Sequence, residues 1–330
     1  LFAESGCPVV SLNLNASQQG IPTVNADVRQ LSRLAADHLS EKGFRTFAVY
    51  VRKHEYSVSR IHSEFEDAVK DLNQSCFLLD WLQERGRAAD TWANRQKWLE
   101  KKLAELPRPV GIFIPSVGDT VEVFDACVAA HLHVPDDVAI LAAYGIPFFR
   151  ECTPVPLSSV NHDHDTQARI ACDLLEQLMA GGSPPDGPIY IPPKGLTARA
   201  STDTLAASTP EVTKAIRYML DHYAEPMSIE DAVRVSGMSR TRLVKHFKQD
   251  LDQTPHVVLT RIRMDQAKRM LRDTNETLET VAEACGFGHP VGLHHHFRKA
   301  LKISPGAYRK QAAEKNTAEG DATSTASGKC

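Results

Sequence analysis

Along the first 200 residues the spacing of apolar positions switches repeatedly between two periods. Apolar or β-branched runs at Val9–Leu12, Thr46–Val51, Cys76–Leu79, Val110–Ile114, Val138–Ala143 and Ile189–Ile191 predict strands. Between them, helical spacing appears over Val28–Glu41, Arg60–Leu72, Thr91–Leu106, Thr120–His131 and Asp165–Met179. Gly43, Pro107, Pro135 and Gly181 stand where those helices should stop. Strand and helix in alternation predict an α/β domain built on a mostly parallel sheet, over residues 1–200. Leu1 comes directly before the strand-like stretch Cys7–Leu12, so the start of this domain is expected to be missing. Residues 201–210 are mostly small and polar and read as a linker.

From 211 to 312 the spacing stays helical and predicts an all-α domain. The first helix, Glu211–Tyr223, places Val212, Ile216, Met219 and Leu220 on one side. Within this region the chain repeats itself. The run from Ile229 to Phe247 recurs from Leu278 to Phe297: Glu230 pairs with Glu279 and Gly237 with Gly286, both 49 residues apart. Leu243 pairs with Leu293, Phe247 with Phe297, Leu251 with Leu301 and Pro255 with Pro305, all 50 apart, so the second turn has gained one residue. Each copy is a short apolar helix, a glycine turn and a second helix, the helix-turn-helix order. Ser228 with Asp231 forms a capping-box pattern, and Pro255 suits the first position of a helix running to about Leu271. The tail, 313–330, is small and polar and is expected to be disordered.

In the first copy Leu243 and Phe247 form the inner face of the second helix, which turns Arg240, Thr241, Val244, Lys245 and Lys248 outward. Arg and Lys suit guanine edges and phosphates, and a threonine methyl suits a thymine methyl. In the second copy Leu293 and Phe297 face inward while His289, Val291, Gly292, His294, His295 and Arg298 face out. The His294-His295-His296 run invites a metal reading, but neighbouring helical residues diverge by about 100° and no acidic or cysteine partner stands at ligand spacing. Surface and packing roles are expected for these histidines.

Charge supports the division. Residues 1–207 carry 19 Lys/Arg against 26 Asp/Glu, whereas residues 208–310 carry 17 against 12, within a chain of net charge −3. A basic half joined to an acidic one points to a nucleic-acid partner for the basic half. Seven cysteines without a C-x-x-C pair exclude a disulfide framework or zinc ribbon. No run of 18 apolar residues or apolar leader is present, so a cytoplasmic protein without a membrane partner is expected. Walker, dinucleotide, G-x-S-x-G and H-E-x-x-H motifs are lacking, and the chain reads as a non-enzyme without cofactor or metal. In His162-Asp163-His164-Asp165 an aspartate is expected to cap the following helix. Trp81, Trp92 and Trp98 fit core packing or an interface.

Residues 211–312 resemble the double helix-turn-helix domain of AraC/XylS-type transcription regulators. The most specific part is the line G-F-x-x-P … F-R-K-A-L-K-I-S-P-G-A-Y-R, from Gly286 to Arg309. The resemblance implies base contacts from Arg240, Thr241, Val244 and Lys245, then from Pro290, Val291 and Gly292, with His295 on a phosphate. The family commonly has a polar or aromatic residue at Gly292 and arginine at His295. Residues 1–200 resemble the two-lobed effector domain of LacI/GalR-type regulators and periplasmic sugar-binding proteins. The matching residues are Asp27 through Leu34–Phe44, His133–Ile140 and Pro156–Val160.

In such domains a small ligand lies between lobes, at the carboxyl ends of strands. Those ends offer His54, Ser116, Asp119, Tyr144 and His162, with Arg60 opening a helix nearby. Pro115-Ser116 replaces the family's Asn-Asp, Tyr144 replaces an aspartate, and the sugar-holding arginine falls on Ile61, one position from Arg60. The pentose-binding constellation is altered or lost. The chain therefore reads as a homodimeric regulator of operator DNA, responsive to a sugar effector and working with RNA polymerase. Two alternatives stay open: a constitutive regulator with a non-binding sensor, and a sugar-binding protein or enzyme whose helical module binds no DNA.

Overall fold

The computed structural model describes residues 7–12, 20–145 and 153–311. The chain divides into two compact units, Leu1–Ala206 and Ala207–Cys330. The expected disordered tail, 313–330, lies outside the described residues.

The first unit contains β1 (Val24–Ala26), α1 (Val28–Glu41), β2 (Thr46–Val51), α2 (Tyr56–Asp71), β3 (Ser75–Asp80), α3 (Trp81–Glu84) and α4 (Trp92–Glu105). It continues through β4 (Val110–Ile114), α5 (Thr120–Ala129), β5 (Val138–Ala142), β6 (Ser158–Asn161), α6 (His164–Met179), β7 (Ile189–Ile191) and β8 (Gly195–Thr197). The main sheet has six strands in the order β3-β2-β4-β5-β6-β8, parallel except for β8. Its middle strands are buried on both faces, which is why they read as unbroken apolar runs. In β5, Ala139 and Leu141 join the core beneath α1 and α2, while Val138, Ile140 and Ala142 join the core beneath α4 and α5. Phe65 of α2 stacks on Phe113 of β4 at 4.4 Å between ring centres. Trp81 is buried and meets Trp98 edge to face at 5.6 Å, whereas Trp92 is 46% exposed.

A smaller parallel pair, β1 with β7, carries α6 through Val24, Ile191 and Leu174. The Val9–Leu12 stretch contributes only an isolated bridge, Ser11 to Thr23. The start of the expected linker, 201–210, differs too. Residues Ala200–Thr202 form a 3₁₀ turn, and Ser201, Thr202, Thr204, Leu205 and Ala206 are all buried. Polar residues enter this core because each hydrogen bond is met: Ser201 Oγ donates to the Ile140 carbonyl (2.6 Å) and accepts from the Ser158 amide (2.8 Å). Arg60, expected to open a helix, lies inside α2, which begins at Tyr56.

The second unit is helical: α7 (Pro210–His222), α8 (Ile229–Ser236), α9 (Arg240–Leu251), α10 (Pro255–Asp273), α11 (Leu278–Ala284) and α12 (Pro290–Leu301), with residues 305–311 helical after them. Val212, Ala215, Ile216 and Met219 form the buried face of α7, which packs on α8, α9 and α10. Met264, Ala267 and Leu271 of α10 meet Val281, Ala282, Leu293 and Phe297 in a second small core. The 19-residue α10 therefore serves both helical pairs.

Candidate nucleic-acid interface

Each helix pair is shaped by its caps. Asp231 accepts hydrogen bonds from the Ser228 amide (3.0 Å) and hydroxyl (2.9 Å), closing the capping box that starts α8. Those bonds, helped by Arg234, hold its carboxyl below the ordinary aspartate value. Gly237 ends α8 at φ +69°, in the left-handed region that glycine enters without strain. Ser239 then caps α9 by accepting from the Arg242 amide. In the second pair Thr277 caps α11 through the Thr280 amide (3.1 Å), and Pro290 opens α12 at a position that has no helical partner for an N–H.

The helices α9 and α12 turn equivalent faces to the core. Leu243, Phe247 and Leu251 are buried in α9, and Leu293 and Phe297 in α12. On the outside of α9, Arg240, Thr241, Lys245 and Lys248 are exposed and Val244 is half-buried. Arg242 is exposed as well. Arg240 donates to Glu230 of α8 at 2.9 Å, with both side chains more than 60% exposed. Such a surface pair is weak, so a phosphate or guanine competes for the guanidinium at little cost. On α12, Val291, His295 and Arg298 are exposed and Pro290 and Gly292 half-buried. Val291, His295 and Arg298 line one shallow concavity together with His294 and Lys299. Burial, with the neighbouring His295, Lys299, His256 and Arg263 side chains, pushes His296 below the usual histidine range. Among the described residues, no group of His, Cys, Asp and Glu is placed to hold a metal ion.

One residue that the sequence did not single out fastens the second turn to the first helix. Arg263, on α10, donates from Nε to the Tyr223 carbonyl (2.8 Å) and from Nη2 to the Glu225 carbonyl (2.9 Å). Gly286 lies against the same point: a Cβ there would meet the Tyr223 oxygen at 2.2 Å. The signal for Arg263 is an arginine on the inner side of an amphipathic helix, which becomes readable only when the helix is placed.

Five of the six sensor candidates lie along the carboxyl edge of the six-stranded sheet, in three groups. His54, beyond β2, pairs with Asp80 at the end of β3 (2.6 Å). Asp119, after β4, is buried and accepts from Arg52 Nε at 2.7 Å. Burial raises the Asp119 carboxyl above its usual range, against the pull of Arg52. Ser116 precedes the 3₁₀ turn that leads to Asp119. Tyr144 and His162 meet edge to face at 6.1 Å, and burial pushes the tyrosine hydroxyl up to about 12. His162 shares Nε2 with Gln167 Oε1 (2.8 Å), while its Nδ1 is buried without a partner. Arg60 stands apart, paired with Glu64 on its own helix at 2.8 Å. Asp163 caps α6 through the Thr166 amide and pairs with Lys194 at 3.2 Å. Arg52 and Asp80 were missed; each is a charge at the mouth of a buried strand.

Residues 36–202 match the family described as periplasmic binding protein-like domain, and residues 232–311 match a helix-turn-helix domain. The chain is 26% identical over 318 residues to the xylose operon regulatory protein of Escherichia coli (strain K12), covering 95% of this chain and 81% of that one. The protein of the same name from Haemophilus influenzae is 24% identical over 291 residues, 87% of this chain and 74% of the relative. A solved structure of the xylose-binding transcription activator XylR aligns with a TM-score of 0.59 at 25% identity, over 94% of this chain and 82% of that chain. The chain belongs to the periplasmic binding protein-like family, carries a helix-turn-helix domain of AraC type later in its sequence, and is a DNA-binding transcription regulator.

Proposed function

We propose that this regulator binds operator DNA with α9 and α12 in successive stretches of major groove, as a homodimer, and that a sugar or related small molecule controls it. The observation that carries this reading is the repeated register: two helices bury Leu/Phe pairs 50 residues apart and leave matching outer residues uncovered. On α9 the readers are Arg240, Thr241, Val244, Lys245 and Lys248; on α12 they are Pro290, Val291, Gly292, His295 and Arg298. Contact with RNA polymerase would follow from work as an activator. The role needs no catalysis and no cofactor. A cytoplasmic site fits it, and among the described residues no helix is long and apolar enough to cross a membrane.

The test is operator binding by the full chain against an Arg240→Ala, Lys245→Ala variant. Loss of at least tenfold in specific affinity is expected from two removed contacts. Unchanged affinity for a specific duplex would return the helical unit to a protein-contact role.

For the effector, the names of the relatives direct attention to pentoses, and the unpartnered Nδ1 of His162 beside Tyr144 supplies a hydroxyl partner. Xylose and related pentoses should raise the unfolding temperature of the full chain; a flat response across pentoses and hexoses would favour a second reading. In that reading the sensor is silent and the regulator acts constitutively. It is favoured by the way His54 with Asp80, and Asp119 with Arg52, already satisfy one another.

A further inference from the structure

Val291, in the first turn of α12, is 80% exposed, the most open of the large apolar residues described. A valine held in water forgoes the transfer free energy of its branched methyls, which an apolar group in the functional complex would recover. Its neighbours leave it bare. Pro290 precedes it, and Gly292 follows, where a Cβ would stand only 3.1 Å from the Phe287 carbonyl oxygen. In α9 the equivalent residues are Arg240, Thr241 and Arg242. Threonine and valine share one branched outline, so both helices present a methyl at the same register. Only α9 surrounds it with guanidinium groups.

The side chains of the first three residues of α12 offer a base edge neither a donor nor an acceptor, since none of them is polar. Beyond them, His294, His295, Arg298 and Lys299 share the shallow concavity with Val291, and their donors suit phosphate oxygens. The apolar group that a base pair displays in the major groove is the C5-methyl of thymine. We propose that Val291 reads a thymine C5-methyl, so that the second module recognises sequence by an apolar contact where the first uses polar ones. This rests on the operator-binding reading of α12.

The experiment selects bound duplexes from a random-sequence pool with the full chain, then replaces each operator thymine singly by uracil, which removes only the methyl. One position should weaken binding about fourfold, the worth of one buried methyl group. Val291→Ser should bind the thymine and uracil duplexes at that position equally, and Val291→Thr should restore the preference. Unchanged helical content would confirm that neither exposed substitution disturbs folding. The proposal is overturned if no uracil replacement matters, or if Val291→Ser keeps the parent's preference. A pool that yields no enriched sequence overturns operator binding itself, a separate result from either of these.

Discussion

At Gly286 the chain leaves no room for a side chain. An added Cβ would lie 2.2 Å from the Tyr223 oxygen and 2.7 Å from Arg263 Nε, at φ +74°. Gly237 has a similar φ of +69° but open space around it. Gly286→Ala should therefore cost about 3 kcal/mol and Gly237→Ala about 1 kcal/mol, the difference being steric rather than conformational. Equal losses in urea unfolding would refute the tight contact. Asp231 gives a second prediction, from its depressed pKa. A carboxyl whose folded pKa lies below its unfolded one stabilises above the unfolded value and loses that contribution as pH falls through the folded value. The stability gap between the parent and Asp231→Asn should be full near neutral pH and close below the ordinary aspartate value of 3.8. At this scale the sequence showed which residues of α9 and α12 face outward, because the repeat fixes their register. Partners from separate elements, such as Glu230 for Arg240 or Asp80 for His54, carry no local sequence signal.

Helices and strands differ in how openly the sequence declares them. Thr46–Val51, Val110–Ile114 and Ile189–Ile191 are strands with the expected bounds, and Val28–Glu41 is a helix with the expected bounds. These elements bury continuous or evenly spaced apolar residues. β6 shows no apolar run because it opens with Ser158 and Ser159, which are buried; the Ser158 hydroxyl lies 2.7 Å from that of Thr202. β1 (Val-Asn-Ala) and β8 (Gly-Leu-Thr) carry no apolar run to announce them, unlike the equally short Ile-Tyr-Ile of β7. The helix expected to reach His131 stops at Ala129, and His131 turns the chain at φ +55°. Phe247 and Phe297 are each fully buried on the inner faces of α9 and α12. Phe297→Ala should lower stability by about 3–5 kcal/mol and remove α12 binding together with its core. Thermal unfolding followed beside operator binding would check this; loss of binding with stability intact would mean that Phe297 touches DNA rather than the core.

For the whole molecule, the charge divide becomes a statement about salt. Arg240, Lys245 and Lys248 project from α9 into solvent, and binding that releases counterions weakens linearly in log affinity against log salt. Replacing Lys248 with alanine should lessen that slope by about one if it meets a phosphate. An unaltered slope would place it away from the backbone. The grip of Arg263 on the Tyr223 and Glu225 carbonyls has its own consequence for the operator. With α10 spanning about 28 Å as an unbroken rod, α9 and α12, as the proposed readers, would keep a fixed stride. Inserting one base pair between their footprints displaces the far footprint by about 3.4 Å and rotates it by about 35°. A regulator built this way should forgive spelling errors within either word of its operator far more readily than a change in the gap between the words.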